Sequence, residues 1–326
     1  MDPLTHFLSG VVLSRAGLGR LCPQASWMIP LAAMAPDADA LAGLWGSESY
    51  LGWHRQWTHS VAGIPVVAAL PVLVAAVRLG RRMRWLGAYA AAVASVALHD
   101  LLDTTNAYGV RAWLPFSKEW VRTDIFAIVD LWLWAVWLAA VLGPMLGRLV
   151  SSEIGARRGS GRGAAIFALV FLVCYGGVRW LLHQRAVEVL EARLYQGQAP
   201  VRVAALPSPG SPLLWRGLVE TRDLYAVGEV DLGGEFDPSS ARFLHKAGGV
   251  AEQASIERAV RATEAFRVFL EFSQYPLWRF VPVDDPEGGL RVEAMDLRFG
   301  EPPGRRFVAT AVVNAEGRVV RAWFRF

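Results

Sequence analysis

Only two cysteines, Cys22 and Cys174, stand in 326 residues. They lie far apart, each in or beside an apolar stretch, which excludes a disulfide framework and a CxxC metal site and leaves both as packing residues. Charge is scarce too: 19% of the residues are charged against 54% apolar, and mean hydropathy is positive. Such a balance excludes a disordered chain and is too apolar for an ordinary soluble protein. Neither sign of charge dominates, since 33 basic and 29 acidic residues leave +4, and no nucleic-acid partner is expected. The start, MDPLTHFLSG, lacks the basic region and small-residue cleavage site of a signal peptide and is expected to remain in the mature protein. There is no internal repeat and no long low-complexity tract. Nothing in the sequence speaks to oligomeric state.

What is present is a series of uncharged runs. Residues 60–77, 85–98, 131–147 and 163–178 are each close to the roughly 20 residues that span a bilayer core. Two weaker segments precede them: 4–17 is short, and 26–45 is broken by Pro36 and carries Asp37 and Asp39. The reading is an α-helical membrane bundle of about six helices over residues 1–183, followed by a soluble α+β domain over 184–326.

Arg78, Arg81, Arg82 and Arg84 fill one short connection, and Arg148, Arg157, Arg158 and Arg162 fill another. The bias of arginine to the cytoplasmic side makes both connections cytoplasmic. A multi-pass membrane protein follows, with its soluble domain extracytoplasmic. After a helical stalk at 181–195, Pro207, Pro209, Gly210 and Pro212 mark a loop. Strands are expected near 213–220, 224–232, 278–283, 291–299, 306–313 and 319–326, with a helix over 252–272. Trp215, Arg216, Glu220 and Arg222 read as strand and salt-bridge residues, and His183 and His245 as ordinary histidines.

Four of the six histidines, His6, His54, His59 and His99, fall in the first 100 residues beside Asp37, Asp39, Asp100 and Asp103. Ionisable groups at membrane depth cost several kcal/mol unless they are paired or bound to an ion. His99 and Asp103 are four apart on a helix and share one face. Asp37 and Asp39 follow a proline that stops or bends the helix, where one carboxylate can bind metal while the other holds a ligand histidine or a second ion. Alternatively, the two are plain helix-dipole carboxylates.

The segment His54-Arg55-Gln56-Trp57-Thr58-His59-Ser60 stands just before a spanning run. His59 is the preferred ligand there, His54 a second ligand or an acid/base group, and Arg55 a holder of an anionic substrate oxygen. Arg55 has a plainer role as a headgroup anchor beside Trp53 and Trp57. The arginine-based orientation puts His6, Asp37, Asp39, His59, His99, Asp103 and Asp124 on one side of the membrane. Asp130, near Asp124, also reads as a buried helix-pairing residue.

Imidazole and carboxylate ligands point to a divalent metal, zinc first and manganese or iron next, rather than to a thiolate or all-oxygen site. The chemistry such an ion supplies is an activated water for hydrolysis, here of a phosphoester or lipid headgroup beside the bilayer. A non-enzymatic scaffold or regulator whose ions only rigidify the bundle is the competing reading. A transporter ranks below both, because the polar residues gather at one face and no inverted repeat is visible.

The motifs MDPLTHFLSG, APDADAL, HRQWTHS and HDLLDTTNAYG, in that order, resemble the bacterial membrane-bound metal-dependent hydrolase family, also catalogued as a domain of unknown function. The resemblance covers residues 1–180, and the tail with WRGLVET and DLRFG looks like the extension of a subset of that family. The order Asp, His, HxxxD is also similar to zinc-dependent phospholipase C and P1-type nucleases. That likeness implies Asp37 or Asp39, His59, His99 and Asp103 as ligands. The further histidines and HxxxE pair of those enzymes have no counterpart here beyond Asp124 and Asp130.

Overall fold

The computed structural model describes residues 1–79, 84–153, 160–247, 256–258, 260–304 and 306–326. Arg81, Arg82, Arg157, Arg158 and part of the helix expected at 252–272 lie outside the described residues. The chain divides into two compact units. The first comprises Met1–Asp39, Arg55–Arg185 and Pro207–Trp215; the second comprises Ala40–His54, Ala186–Leu206 and Arg216–Phe326.

The first unit is helical. Helix α1 (Pro3–Ala16) begins at Asp2, whose carboxylate accepts from the N–H groups of Leu4 and Thr5 at 3.0 and 3.1 Å, with Pro3 in the first turn. Helix α2 (Ala25–Met34) contains Pro30 and gives way to a 3₁₀ stretch over Pro36–Trp45. The short α3 (Ser47–Trp53) belongs to the second unit. A 3₁₀ turn at Trp57–His59 leads into α4 (Gly63–Leu79), and α5 (Trp85–Asp103), α6 (Leu131–Glu153) and α7 (Arg162–Glu191) follow.

Among the described residues three helices are long and apolar enough to cross a membrane, α5, α6 and α7, or four spans if the broken pair 47–59 and 63–77 forms one. The two weaker segments are helical but short. The 14 residues of α1 reach about 21 Å at 1.5 Å each, less than the hydrocarbon core, and Pro36 helps to end the second α-helix before it can span. The expected stalk at 181–195 is not separate, because α7 runs unbroken through 30 residues.

Buried small residues on α5, Ala88, Ala91, Ala92 and Val96, pack with Met28, Ile29 and Ala32 of α2 and Val67, Ala68 and Val72 of α4. A second cluster joins Leu8 and Val12 of α1 to Leu133 and Trp137 of α6 and Ala165 and Ala168 of α7. Gly10 lets α1 and α2 close on each other, since a Cβ there would lie 2.6 Å from Pro30 Cα.

The second unit holds two four-stranded sheets, in orders β1-β2-β3-β4 and β5-β6-β7-β8. The strands are β1 (Arg202–Pro207), β2 (Leu214–Glu220), β3 (Leu224–Asp231), β4 (Arg242–His245), β5 (Pro276–Val283), β6 (Gly289–Asp296), β7 (Val308–Val313) and β8 (Val319–Arg325). Successive strands from β5 to β8 pair antiparallel, as do β3 and β4. The strands expected from alternation are present, and β1 and the four-residue β4 join them. Helix α8 (Glu264–Phe272) buries Phe266, Phe269 and Phe272 at three-residue spacing.

Candidate metal centre

The buried stripe of α5 continues past the alanines to Ser95, His99 and Asp103, so the face that packs the bundle also carries the polar residues. Ser95 Oγ donates to the Ile29 carbonyl at 2.9 Å, and His99 Nδ1 lies 2.6 Å from the Ala33 carbonyl. The Ala33 carbonyl is among the last four of α2, which lack a partner within the helix. Accepting from Nδ1–H, it fixes the tautomer of His99 and leaves the Nε2 lone pair facing inward.

Facing His99 is His59, at the end of the Trp57–His59 turn. The two Nε2 atoms are 3.0 Å apart. Asp103 Oδ2 lies 3.2 Å from His99 Nε2 and 3.3 Å from His59 Nε2, and Asp37 Oδ1 lies 3.5 Å from His59 Nε2 and 3.7 Å from His99 Nε2. One donor from each of Asp37, His59, His99 and Asp103 falls within 4.8 Å of all the others. Ligand bonds of 2.0–2.1 Å around a tetrahedral zinc give edges of about 3.3 Å between donors, and the five separations above bracket that value. Asp103 Oδ2 is buried and accepts no hydrogen bond among the described residues. The donor set and this atom fit a divalent metal.

Asp39 stands behind His59. Its Oδ2 is 3.3 Å from His59 Nδ1, accepts the Thr58 hydroxyl at 2.5 Å and accepts the Arg55 backbone N–H at 3.0 Å. It therefore holds the ligand histidine from its far nitrogen, one of the two roles foreseen for the Asp37/Asp39 pair. Burial alone would raise the Asp37 carboxyl; the His59 ring against it and the nearby charges of His99 and Arg55 outweigh this and hold it at about 2.

Arg55 adopts φ 62°, a left-handed conformation unusual for a side-chain-bearing residue. Its Nη2 lies 3.0 Å from Asp103 Oδ1 and donates to the Met1 carbonyl at 3.1 Å, and its Nη1 donates to Asn106 Oδ1 at 3.1 Å. The guanidinium also lies 4.9 Å from the centre of the Tyr108 ring. Asp103 thus presents Oδ2 to the two histidines and Oδ1 to a second group, where His6 Nε2 lies 3.3 Å away and the Met1 nitrogen is in contact. His6 stacks on His99 with centroids 3.6 Å apart.

His6, Asp37, Asp39, Arg55, His59, His99 and Asp103 are brought together. Asp124 is not part of the four-donor group; it pairs with Arg122. His54 belongs to the second unit, where its buried ring lies tilted against Tyr50 with centroids 4.6 Å apart. Asp130 caps α6, accepting from the N–H groups of Trp132 and Leu133 at 3.1 Å each, and receives the Tyr175 hydroxyl at 3.3 Å.

Sequence reasoning passed over Asn106, whose Nδ2 donates to the Asp103 carbonyl at 3.2 Å while its Oδ1 receives Arg55. Its place in HDLLDTTNAYG, three residues after Asp103, was the available signal. Asp100 is buried beside His99, with neither carboxylate oxygen hydrogen-bonded among the described residues.

Residues 1–186 match the family described as YdjM inner membrane protein. An uncharacterized protein of Bacillus subtilis (strain 168), YfhP, is 26% identical over 321 residues, covering 95% of this chain and 90% of its own length. No solved structure matches the chain.

Proposed function

The chain belongs to the YdjM inner membrane protein family, and from the residues gathered in its membrane half we propose that it is a metal-dependent hydrolase acting on a phosphoester or lipid headgroup. The observation that carries this reading is the set of four donors, Asp37, His59, His99 and Asp103, at separations suited to one zinc ion, with manganese or iron as alternatives. Bound there, the ion would supply Lewis acidity and a water that loses its proton near neutral pH.

The protein's own groups would then act as follows. His59 and His99 present Nε2 lone pairs, each ring steadied from Nδ1 by Asp39 or the Ala33 carbonyl. Arg55 offsets the charge of Asp103 and keeps positive charge beside the centre, where an anionic oxygen would be favoured.

Orientation follows from the opposite helix ends. Arg15 lies in the last turn of α1, Arg84 precedes α5, and Arg162 opens α7, all away from the end that carries His99 and Asp103. The positive-inside bias makes those ends cytoplasmic and puts the centre, with the C-terminal domain, on the outer side.

A second reading, an ion that only braces the bundle, is favoured by burial: the side chains of His59, His99 and Asp103 are fully buried and only Asp37 keeps 16% exposure. Four protein donors are also what a closed structural site has. The test is elemental analysis of the purified full chain together with a phosphodiester and phospholipid hydrolysis screen, comparing wild type with His99→Ala. Stoichiometric metal and turnover, both lost in the variant, support the hydrolase. Metal and thermal stability lost without any wild-type turnover support the brace, and a metal-free wild type ends both.

A further inference from the structure

Between α5 and α6 the chain makes a small hairpin. Val110 and Val121 exchange backbone hydrogen bonds of 3.1 and 2.8 Å, and at the tip the Trp113 carbonyl accepts from the N–H of Phe116 at 2.8 Å and of Ser117 at 3.1 Å. The hairpin is bound to the turn that delivers His59. Arg111 N–H donates to the Arg55 carbonyl at 3.0 Å, Val61 N–H donates to the Ala112 carbonyl at 2.9 Å, and Arg111 Nη1 donates to Gln56 Oε1 at 2.9 Å.

The base of this assembly is buried through Val110, Arg111 and Leu114, yet large apolar side chains stand exposed on its outer side, next to Lys118 and Glu119. Phe116 is 88% exposed, Trp113 and Trp57 are each 52% exposed, and Val61 stands with them. The same character continues along α4, where Val66, Leu70, Leu73, Val74 and Val77 are exposed at helical spacing, the row expected of a face turned to lipid.

We infer that the 110–121 hairpin and the 57–61 turn together form a wedge that enters the lipid interface of the membrane this chain spans, and that the adjoining centre takes an amphiphilic phosphoester drawn from that bilayer. Three observations carry the first part. The hairpin leaves from the end of one span and returns to the start of another, so connectivity holds it at the membrane surface. Its strand is bonded through Ala112 to Val61, two residues before the start of α4 and its exposed apolar row. Its exposed residues include Trp113 and Phe116, the former suited to the headgroup boundary, beside the exposed Lys118 and Glu119, which suit its water side, while a non-helical tip is kept out of the hydrocarbon by its backbone groups.

The second part rests on the hydrolase reading. Trp57 and His59 are the two ends of one three-residue turn, the first exposed and the second a buried donor. Lipid around Trp57 is therefore within a few residues of the centre. A soluble phosphodiester would gain nothing from that arrangement.

The experiment places a nitroxide at Phe116→Cys in a Cys174→Ala background, leaving the buried Cys22 in place, in the full chain reconstituted in phospholipid nanodiscs. A second label at Glu235→Cys, an exposed residue of the sheet domain, reports water. Faster relaxation by oxygen than by a water-soluble nickel chelate at 116, with the reverse at 235, is the expected result. Chelate preference at 116 overturns the wedge, and so does shielding from both reagents, which would mean a protein partner covers the tip.

For substrate, Trp113→Ser with Phe116→Ser should lower turnover of vesicle phospholipid about tenfold and leave a water-soluble phosphodiester unchanged. Equal loss on both, or on neither, overturns the amphiphile assignment. If wild type hydrolyses nothing, the hydrolase reading fails while the label still decides the wedge.

Discussion

His59 and His99 face each other nitrogen to nitrogen across 3.0 Å, and each is held from behind by a different kind of oxygen, a carboxylate of Asp39 for one and the Ala33 carbonyl for the other. Two imidazoles at that distance cannot both carry a proton on the facing nitrogen without repulsion. A shared cation would relieve the conflict, with the flanking carboxylates of Asp37 and Asp103 supplying the balancing charge.

Asp39→Asn therefore separates holding a ligand from being one. The amide keeps the size of the carboxylate but loses its charge against His59 Nδ1, and outer partners of this kind are worth roughly 10–100-fold in metal affinity. Zinc titration of the purified variant should give the wild-type stoichiometry with weakened affinity in that range. Complete loss of the ion would make Asp39 a ligand.

How much of this was visible beforehand depended on whether the relation was local. His99 and Asp103 share a helix, so their common face follows from periodicity. Asp37 and Asp39 sit in a 3₁₀ stretch with about three residues per turn, where a spacing of two turns side chains apart; one reaches the Nε2 side of His59 and the other its Nδ1 side. The pairing of roles could be named from sequence, but not which aspartate took which. His54 and His59 look equivalent in HRQWTHS, yet Arg55 turns the chain between them and the His54 ring lies tilted against Tyr50. Asn106 and Arg122 act through contacts that only folding creates: Asn106 reaches back past a helix end, and Arg122 pairs with Asp124. Four-residue β4 escaped because so short a run carries almost no alternation to read.

Arg179, fully buried on α7, donates from Nε to the Ile125 carbonyl at 2.8 Å and from Nη1 to the Pro212 carbonyl at 2.7 Å, and lies 4.2 Å from the Trp215 ring centre. Replacing it by Leu orphans carbonyls that the planar fork satisfies, at about 1–3 kcal/mol per buried group. Thermal unfolding in detergent should show Arg179→Leu below Arg179→Lys and both below wild type. Proteolysis should open first in the 207–215 turn. An unchanged melting curve for the Leu variant would remove the role assigned to the fork.

In the sheet domain, Asp296 and Arg298 form a fully buried pair at 2.7 Å. Burial by itself raises the Asp296 carboxyl; the charge and hydrogen bonds of Arg298, with the Gln274 N–H, outweigh it and leave Asp296 below its usual 3.8. A depressed acid stabilises the fold fully above its unfolded value and loses that contribution as pH falls through the folded one. Asp296→Asn, which strands Arg298, should cost about 3–5 kcal/mol at neutral pH. The gap between wild type and variant should narrow as pH falls below 3.8. A gap that stays constant with pH would show that the loss came from packing rather than charge.

Gly10 links the packing of the bundle to the centre. A side chain at this position would press on Pro30 Cα at 2.6 Å and on Ala33 Cβ at 2.9 Å, and Ala33 is the residue whose carbonyl holds His99 while His6 projects from the same helix as Gly10. Gly10→Val must push α1 and α2 apart, at about 1–3 kcal/mol for overpacking, and the displacement falls on the support of one ligand ring and on the ring stacked against it. Zinc affinity should therefore drop along with thermal stability. A comparable change at Gly143, where a Cβ would meet nothing within 4 Å, should leave affinity intact. Lower stability with wild-type affinity in Gly10→Val would show that the tightness of the α1–α2 contact does not set the position of His99.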